Sequence, residues 1–97
     1  MDIIFACSKE DNDFRDIISN RFDDIEELES FSLSGMEEMI LFMVPILSLT
    51  VQVVDFVWTH MSNTSKDRFV IINGKKRYFK NYSKDEIVEI LQELKNE

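Results

Sequence analysis

The longest uncharged apolar stretch of the chain covers residues 39–54 and dominates its hydrophobic pattern. The length of the stretch favours a helix, and we predict one long central helix over residues 35–60. Polar residues share one side of this helix: Ser48, Gln52, Asp55 and Thr59. Apolar residues line the opposite side: Met43, Leu47, Val51, Val54 and Trp58. Pro45 predicts a kink or break, and the β-branched residues after it leave a strand there as the alternative.

The start of this helix is marked by a capping pattern. Ser34 followed by Glu37 fits the capping box, in which the hydroxyl accepts a hydrogen bond from a first-turn amide and the carboxylate reaches back. A membrane segment over residues 39–59 is the competing interpretation. We favour a buried helix because a spanning helix needs about 20 predominantly apolar residues, whereas the uncharged run has 16.

Shorter segments before the central stretch predict a strand, a helix and a second strand. Residues 3–7 are apolar at every position, which is typical of a central strand covered on both faces. Residues 11–22 place apolar residues at helical spacing, with Asp11 or Asn12 as the N-cap. Residues 25–33 alternate weakly and predict a strand parallel to the first one.

The C-terminal third of the chain predicts a hairpin and a helix. Residues 68–72 and 75–80 flank Asn73 and Gly74, a pair typical of a type I′ turn. Ser83 and Glu86 form a capping box for a last helix, whose apolar stripe is Ile87, Ile90, Leu91 and Leu94. The predicted fold is a single α+β domain over residues 1–97, in the order β-α-β-α(long)-β-β-α. We expect a mixed sheet of about four strands with a C-terminal β-hairpin plus helix.

Composition argues against several classes of protein. A chain of 97 residues can fold alone as one domain, and its one cysteine excludes an intrachain disulfide. The start of the chain lacks the basic region of a signal peptide, so we expect a cytoplasmic location. His60 has no second histidine or cysteine nearby, and the two glycines stand apart. We therefore expect no enzyme, no catalytic residue, no metal and no cofactor.

Charge is distributed unevenly along the chain. The net charge is −8, yet residues 1–61 hold 13 acids against 3 bases, and residues 62–97 hold 6 acids against 8 bases. The densest acidic cluster is Asp23, Asp24, Glu26, Glu27 and Glu29. This cluster is either a solvated face or a surface that steers a basic partner.

The basic residues of the predicted hairpin form a second charged surface: Lys75, Lys76, Arg77 and Lys80. Tyr78 and Phe79 between them give the patch some resemblance to a nucleic-acid interface. We do not expect nucleic-acid binding, because the acidic half of the chain opposes phosphates and lysines commonly protect an edge strand.

The first half of the predicted central helix has no polar side, so the sheet or another chain must cover it. We predict a partner interface there, made of adaptable apolar side chains: Met36, Met39, Phe42, Met43 and Leu47. The partner would be another protein or a second copy of the chain.

The order of elements and the segment RFVIINGKKRYFKNYSKDEIVEILQEL, residues 68–94, carry a family resemblance. The chain resembles the effector-associated constant component, a small bacterial module found beside the effectors of prokaryotic conflict systems. The resemblance implies an adaptor with no active site, which self-associates or recruits an effector through the long apolar helix. The alternative is a small acidic immunity protein that neutralises a nuclease-like toxin through residues 23–29.

Overall fold

The structure of the protein, a computed structural model, describes residues 2–31 and 38–96, but not the side chains of residues 29–31. The described strands are β1 (Asp2–Ser8), β2 (Glu26–Phe31), β3 (Met39–Pro45), β4 (Arg68–Ile72) and β5 (Lys75–Arg77). The described helices are α1 (Asn12–Arg21), α2 (Val51–Val57) and α3 (Lys84–Lys95). Helix α2 continues directly into a π-helical turn, Trp58–Ser62.

The strands form one sheet in the order β2-β3-β1-β4-β5, with β1 at its centre. Each neighbouring pair of these strands is antiparallel. Strands β1 and β2 run in the same direction, as predicted, because both are antiparallel to β3 between them. The predicted α+β class is confirmed. The sheet differs from the prediction in having five strands rather than about four, and in being antiparallel rather than mixed.

The predicted long helix over residues 35–60 is wrong. Within that range Met39–Pro45 forms strand β3, and helix α2 begins only at Val51. Strand β3 is buried on both faces, since Leu41 and Phe42 are both buried and successive side chains of a strand point to opposite faces. Such a strand has a continuous apolar run, which periodicity does not distinguish from a buried helix. The break predicted at Pro45 is correct, because β3 ends there.

The C-terminal hairpin and helix match the prediction, except that the second strand of the hairpin ends at Arg77 and not at Lys80. Asn73 and Gly74 have φ angles of 51° and 76°, as a type I′ turn requires. The Glu86 amide donates to Ser83 Oγ at 3.2 Å, and the Ser83 amide donates to Glu86 Oε1 at 3.1 Å. This capping box fixes the start of α3. The capping box predicted at residues 34–37 lies outside the described residues.

The two faces of the sheet are covered differently. Side chains of α1, α2 and α3 pack on one face, which we call the helix-covered face. Strand residues that point to this core are Ile3, Phe5, Cys7, Phe42, Val44, Val70 and Ile72. On the opposite face the described residues contribute strand side chains without a helix, and we call it the helix-free face. Its apolar residues are Ile4, Ala6, Leu28, Met39, Leu41, Met43, Phe69 and Ile71.

A buried ion pair ties the elements of the helix-covered face together. Asp11 occupies the N-cap position of α1, as predicted, but its side chain makes no capping hydrogen bond. Instead, its carboxylate accepts from Arg68 Nε at 2.6 Å and from Nη2 at 3.0 Å. Arg68 Nη1 also donates to the His60 carbonyl at 2.9 Å, and the guanidinium lies 4.8 Å from the centre of the Phe14 ring. The pair therefore joins α1, β4 and the π-helical turn.

Candidate interaction surfaces

Leu47 and Val51 are the most exposed large apolar side chains of the described residues. Leu47 lies in the connection between β3 and α2 and is fully exposed, and Val51 at the start of α2 is 75% exposed. Burying an aliphatic side chain of this size is worth about 1.5–3 kcal/mol. Two such side chains close together in the sequence are therefore a candidate contact surface.

A groove of about 320 Å³ lies between α2 and α3, and Val51 forms part of its wall. Its lining is mainly aliphatic, with a few polar side chains: Leu49, Thr50, Val51, Val54, Asp55, Lys84, Val88, Leu91 and Gln92. The two charged residues of the lining neutralise each other, because Lys84 Nζ lies 3.0 Å from Asp55 Oδ1. Lys84 Nζ also lies 4.9 Å from the centre of the Trp58 ring. The groove thus combines an apolar wall with a neutral polar pair.

The groove exists because the side of α2 that faces the core differs from the side that the helical spacing of its apolar residues predicts. The buried residues of α2 are Val53, Phe56 and Val57. Val51 and Val54, which the helical period places on the apolar side, instead line the groove. They are left accessible because the helix starts at residue 51 and packs against both the sheet and α3.

Sequence reasoning placed none of the lining residues of this groove in a partner interface. Val88 is an aliphatic residue beside the apolar stripe of α3, and Leu49 lies in the connection before α2. Val88 is an aliphatic residue outside the predicted apolar stripe of α3, and this position could have indicated that it is accessible. No sequence signal pairs α2 with α3, so the groove itself could not be predicted.

The residues predicted as one partner interface do not form one surface. Met39 and Met43 lie on the helix-free face, but Phe42 between them points into the helix-covered core and is 2% exposed. Leu47 is exposed beyond the end of β3, and Met36 lies outside the described residues. The prediction fails because a strand sends successive side chains to opposite faces, whereas a helix would gather these residues on one side.

The acidic residues gather at the edge of the sheet formed by β2. Asp23, Asp24, Glu26 and Glu27 are exposed, and Glu29 lies in β2 with its side chain outside the described part of the chain. A cleft of about 400 Å³ is lined by Asp2, Asp23, Asp24, Ile25, Glu26, Met43 and Pro45. Glu27 points to the other face and accepts a hydrogen bond from Arg15 Nε at 3.1 Å. Strand alternation therefore divides the predicted acidic surface between the two faces of the sheet.

The basic residues lie at the opposite edge of the sheet, on β5. Lys75, Lys76 and Arg77 are exposed along this strand, and Lys80 is exposed beyond it. Lys76 Nζ lies 4.3 Å from the centre of the Phe69 ring, so this lysine covers an apolar residue of the helix-free face. The predicted acidic and basic surfaces are thus at the two edges of one sheet.

The described residues show no cluster of three or more side chains that could hold a metal ion.

Burial raises the pKa of the Cys7 thiol to about 12, and the Asp11 carboxylate adds to this effect. The thiol is therefore protonated at neutral pH, whereas the thiolate is the nucleophilic form of cysteine. Burial lowers the pKa of His60, with Arg68 and Arg21 acting in the same direction.

No protein-family model, curated protein or solved structure matches this chain.

The membrane segment considered for residues 39–59 falls on β3 and α2, which are separate elements. Among the described helices, none has the length and apolar character needed to cross a membrane. The candidate sites are therefore the groove between α2 and α3, the exposed Leu47, the helix-free face and the two charged edges of the sheet.

Proposed function

We propose that this chain is a non-enzymatic protein–protein interaction module, and that the groove between α2 and α3 receives an apolar side chain of a partner protein. The observation that carries this proposal is the 75% exposure of Val51 in the wall of that groove, with the fully exposed Leu47 four residues before it in the chain. An exposed aliphatic side chain in the wall of an aliphatic groove favours the binding of an apolar partner group, because the contact removes apolar surface of both molecules from water.

The size and chemistry of the groove suit one anchor residue. A volume of about 320 Å³ is at the lower end of the range of ligand pockets, roughly 300–1,000 Å³. Interface energy is commonly concentrated in a few side chains that fill such pockets, with polar groups around them that set orientation. Lys84 and Asp55 supply one donor group and one acceptor group for that purpose.

The resemblance to the effector-associated constant component suggests what the partner is. A module of that kind would act as an adaptor in a bacterial conflict system, and its partner would be an effector. The groove replaces the long apolar helix as the recruiting surface, because that helix does not exist.

Affinity capture with a tagged full-length chain, followed by quantitative mass spectrometry, tests this proposal. We expect the double substitution Leu47→Ser and Val51→Ser to lose one captured protein by tenfold or more. Val88→Gln, on the other wall of the groove, should lose the same protein, and Gln52→Ala, at an exposed position of α2 outside the lining, should retain it. Equal capture by all four chains would rule the groove out as the recruiting site.

A second candidate function has one specific observation in its favour. The carboxylates of Asp2, Asp23, Asp24 and Glu26 meet at one cleft, as a small acidic inhibitor of a basic nuclease-like toxin would require. The double substitution Asp23→Lys and Asp24→Lys should abolish capture of such a toxin while the groove variants retain it. The opposite pattern of losses is expected if the chain recruits an effector through the groove.

A further inference from the structure

We propose that the outer edge of strand β5 binds an extended acidic segment of a partner protein, which adds to the sheet as a further strand. This edge is a different surface from the groove between α2 and α3, and the cleft beside it shares no lining residue with that groove. Binding at the edge is therefore independent of recruitment through the groove.

Strand β5 ends the sheet, because β4 pairs with one side of it and no described strand pairs with the other. Asn73 and Gly74 form a two-residue turn, so the residues that flank the turn, Ile72 and Lys75, are a hydrogen-bonded pair. Opposing residues of an antiparallel ladder alternate between hydrogen-bonded and non-hydrogen-bonded pairs. The amide and the carbonyl of Lys76 therefore point away from β4, where an added strand could bond to both.

A cleft of about 420 Å³ lies beside this edge. It is lined by Lys75, Lys76, Arg77, Glu93 and Leu94. Successive side chains of a strand point to opposite faces, so a cleft that all three residues of β5 line lies along the edge of the strand and not on one face alone. Asn73 Nδ2 donates to the Leu94 carbonyl at 2.6 Å, and this bond ties the hairpin turn to the last turn of α3. The cleft is therefore present in the free chain.

Charge favours an acidic occupant. Three of the five lining residues are basic and one, Glu93, is acidic, although the whole chain has a net charge of −8. Among the described residues, no carboxylate forms an ion pair with Arg77. Lys76 Nζ lies 4.3 Å from the centre of the Phe69 ring and 5.1 Å from that of Tyr78, so the two rings hold this ammonium group near the edge. An acidic segment would place carboxylates beside Lys76 and Arg77.

The lysines of β5 also restrict which strand can pair there. Lysines on an edge strand commonly prevent pairing with other strands. Successive bases repel a basic strand and lose water without compensation beside a neutral one, whereas acidic side chains neutralise them. The acidic strand β2 of a second copy fits less well, because two copies of net charge −8 repel each other and Glu27 is already paired with Arg15.

The short length of β5 predicts weak binding. The strand has three residues, so an added strand gains few main-chain hydrogen bonds. Stable complexes commonly bury about 800 Å² per partner, more than a short peptide buries at such an edge, and we expect a dissociation constant of about 0.1 mM. The dissociation constant should rise with salt because the charges of the edge are exposed.

Fluorescence anisotropy of a labelled octapeptide of alternating Glu and Thr, titrated with the full chain, tests the proposal. The chain should bind this acidic peptide tenfold or more tightly than a matched peptide of alternating Lys and Thr. Arg77→Glu should weaken binding of the acidic peptide by tenfold or more. Glu93→Gln removes the acidic side chain of the cleft lining and should strengthen binding about threefold.

Lys66→Glu is the matched control for Arg77→Glu. It makes the same change of charge at an exposed position outside the cleft, so it should change the dissociation constant less than twofold. The double substitution Leu47→Ser and Val51→Ser should also leave peptide binding unchanged. Circular dichroism checks that each variant is folded.

The Lys76 amide shows whether the peptide adds as a strand or binds through charge alone. Because this amide points outward, its hydrogen exchange should be fast in the free chain and severalfold slower with saturating peptide. The Arg77 amide, which faces β4, should change little. Hydrogen exchange followed by nuclear magnetic resonance of the wild-type chain measures both.

Several outcomes would overturn the proposal. They are no binding of the acidic peptide at millimolar chain, equal binding of the acidic and basic peptides, or a Lys76 amide whose exchange the peptide does not slow. Tighter binding of a single-stranded DNA octamer than of the acidic peptide would make this edge a nucleic-acid site instead. Self-association of the chain that Arg77→Glu abolishes would make the occupant a second copy.

Discussion

The two faces of the sheet have nearly the same apolar character but different surroundings. On the helix-covered face, Phe56 lies between Phe5, Phe14 and Phe22, with ring centres 5.1, 6.1 and 5.1 Å away. On the helix-free face, the corresponding aromatic contact is Phe69 with Tyr78 at 5.4 Å, and Tyr78 is 47% exposed. The first face is enclosed within the chain, whereas the second has buried residues such as Leu41 and Phe69 beside partly exposed ones such as Ile4 and Ile71.

This difference separates residues whose side chains are fully enclosed from residues that keep part of their surface exposed. Strand β1 contributes to both faces, because Ile3 and Phe5 point to the helices while Ile4 and Ala6 point away from them. A change on the helix-covered face should act on the free energy of unfolding. A change on the helix-free face should have a smaller effect on this free energy.

The largest expected effect is that of Phe56→Ala. Removing a fully buried phenyl ring from a cluster of aromatic rings costs roughly 4–5 kcal/mol, from lost transfer energy and the cavity left behind. Ile71→Ala, on the helix-free face, should cost about 1–2 kcal/mol because its side chain is partly exposed. Urea unfolding followed by circular dichroism measures both. Equal losses would contradict the proposed difference between the faces.

The fold was predictable where short-range chemistry decides it. The turn at Asn73 and Gly74 and the capping box of α3 need only a few neighbouring residues, and both are confirmed. Strand β3 was not predictable in this way. Its methionines and leucines favour a helix locally, and the sheet overrides that preference by burying both faces of the segment.

The candidate sites depended on packing that the sequence does not express. The predicted interface failed because it assumed helical spacing for residues that lie on a strand. The acidic and basic clusters were recognised, but their placement at opposite edges of one sheet follows from the strand order. The ion pair of Asp11 and Arg68 joins residues 57 positions apart, and no local pattern connects them.

The second largest effect is expected for Asp11→Ala. Both side chains of the pair are at most 5% exposed, so the substitution leaves the Arg68 guanidinium buried without its carboxylate. Breaking a buried pair in this way costs about 3 kcal/mol or more. Replacing both residues, as Asp11→Leu with Arg68→Met, should cost less than Asp11→Ala alone. A double-mutant cycle from urea unfolding checks this, and simple additivity of the single changes would contradict it.

The smallest expected effect is the contribution of His60 to the pH dependence of the free energy of unfolding. His60 lies in the π-helical turn, beside the core of the helix-covered face. Its ring centre lies 4.9 Å from that of Phe56, and its pKa is lowered by burial, by Arg68 and by Arg21. The unfolded chain therefore takes up a proton at this residue before the folded chain does as the pH falls through about 6.5. The free energy of unfolding should fall over that range, and His60→Gln should reduce its slope between pH 7.5 and 5.5. If His60→Gln leaves the pH dependence of the free energy of unfolding unchanged, other groups cause that dependence.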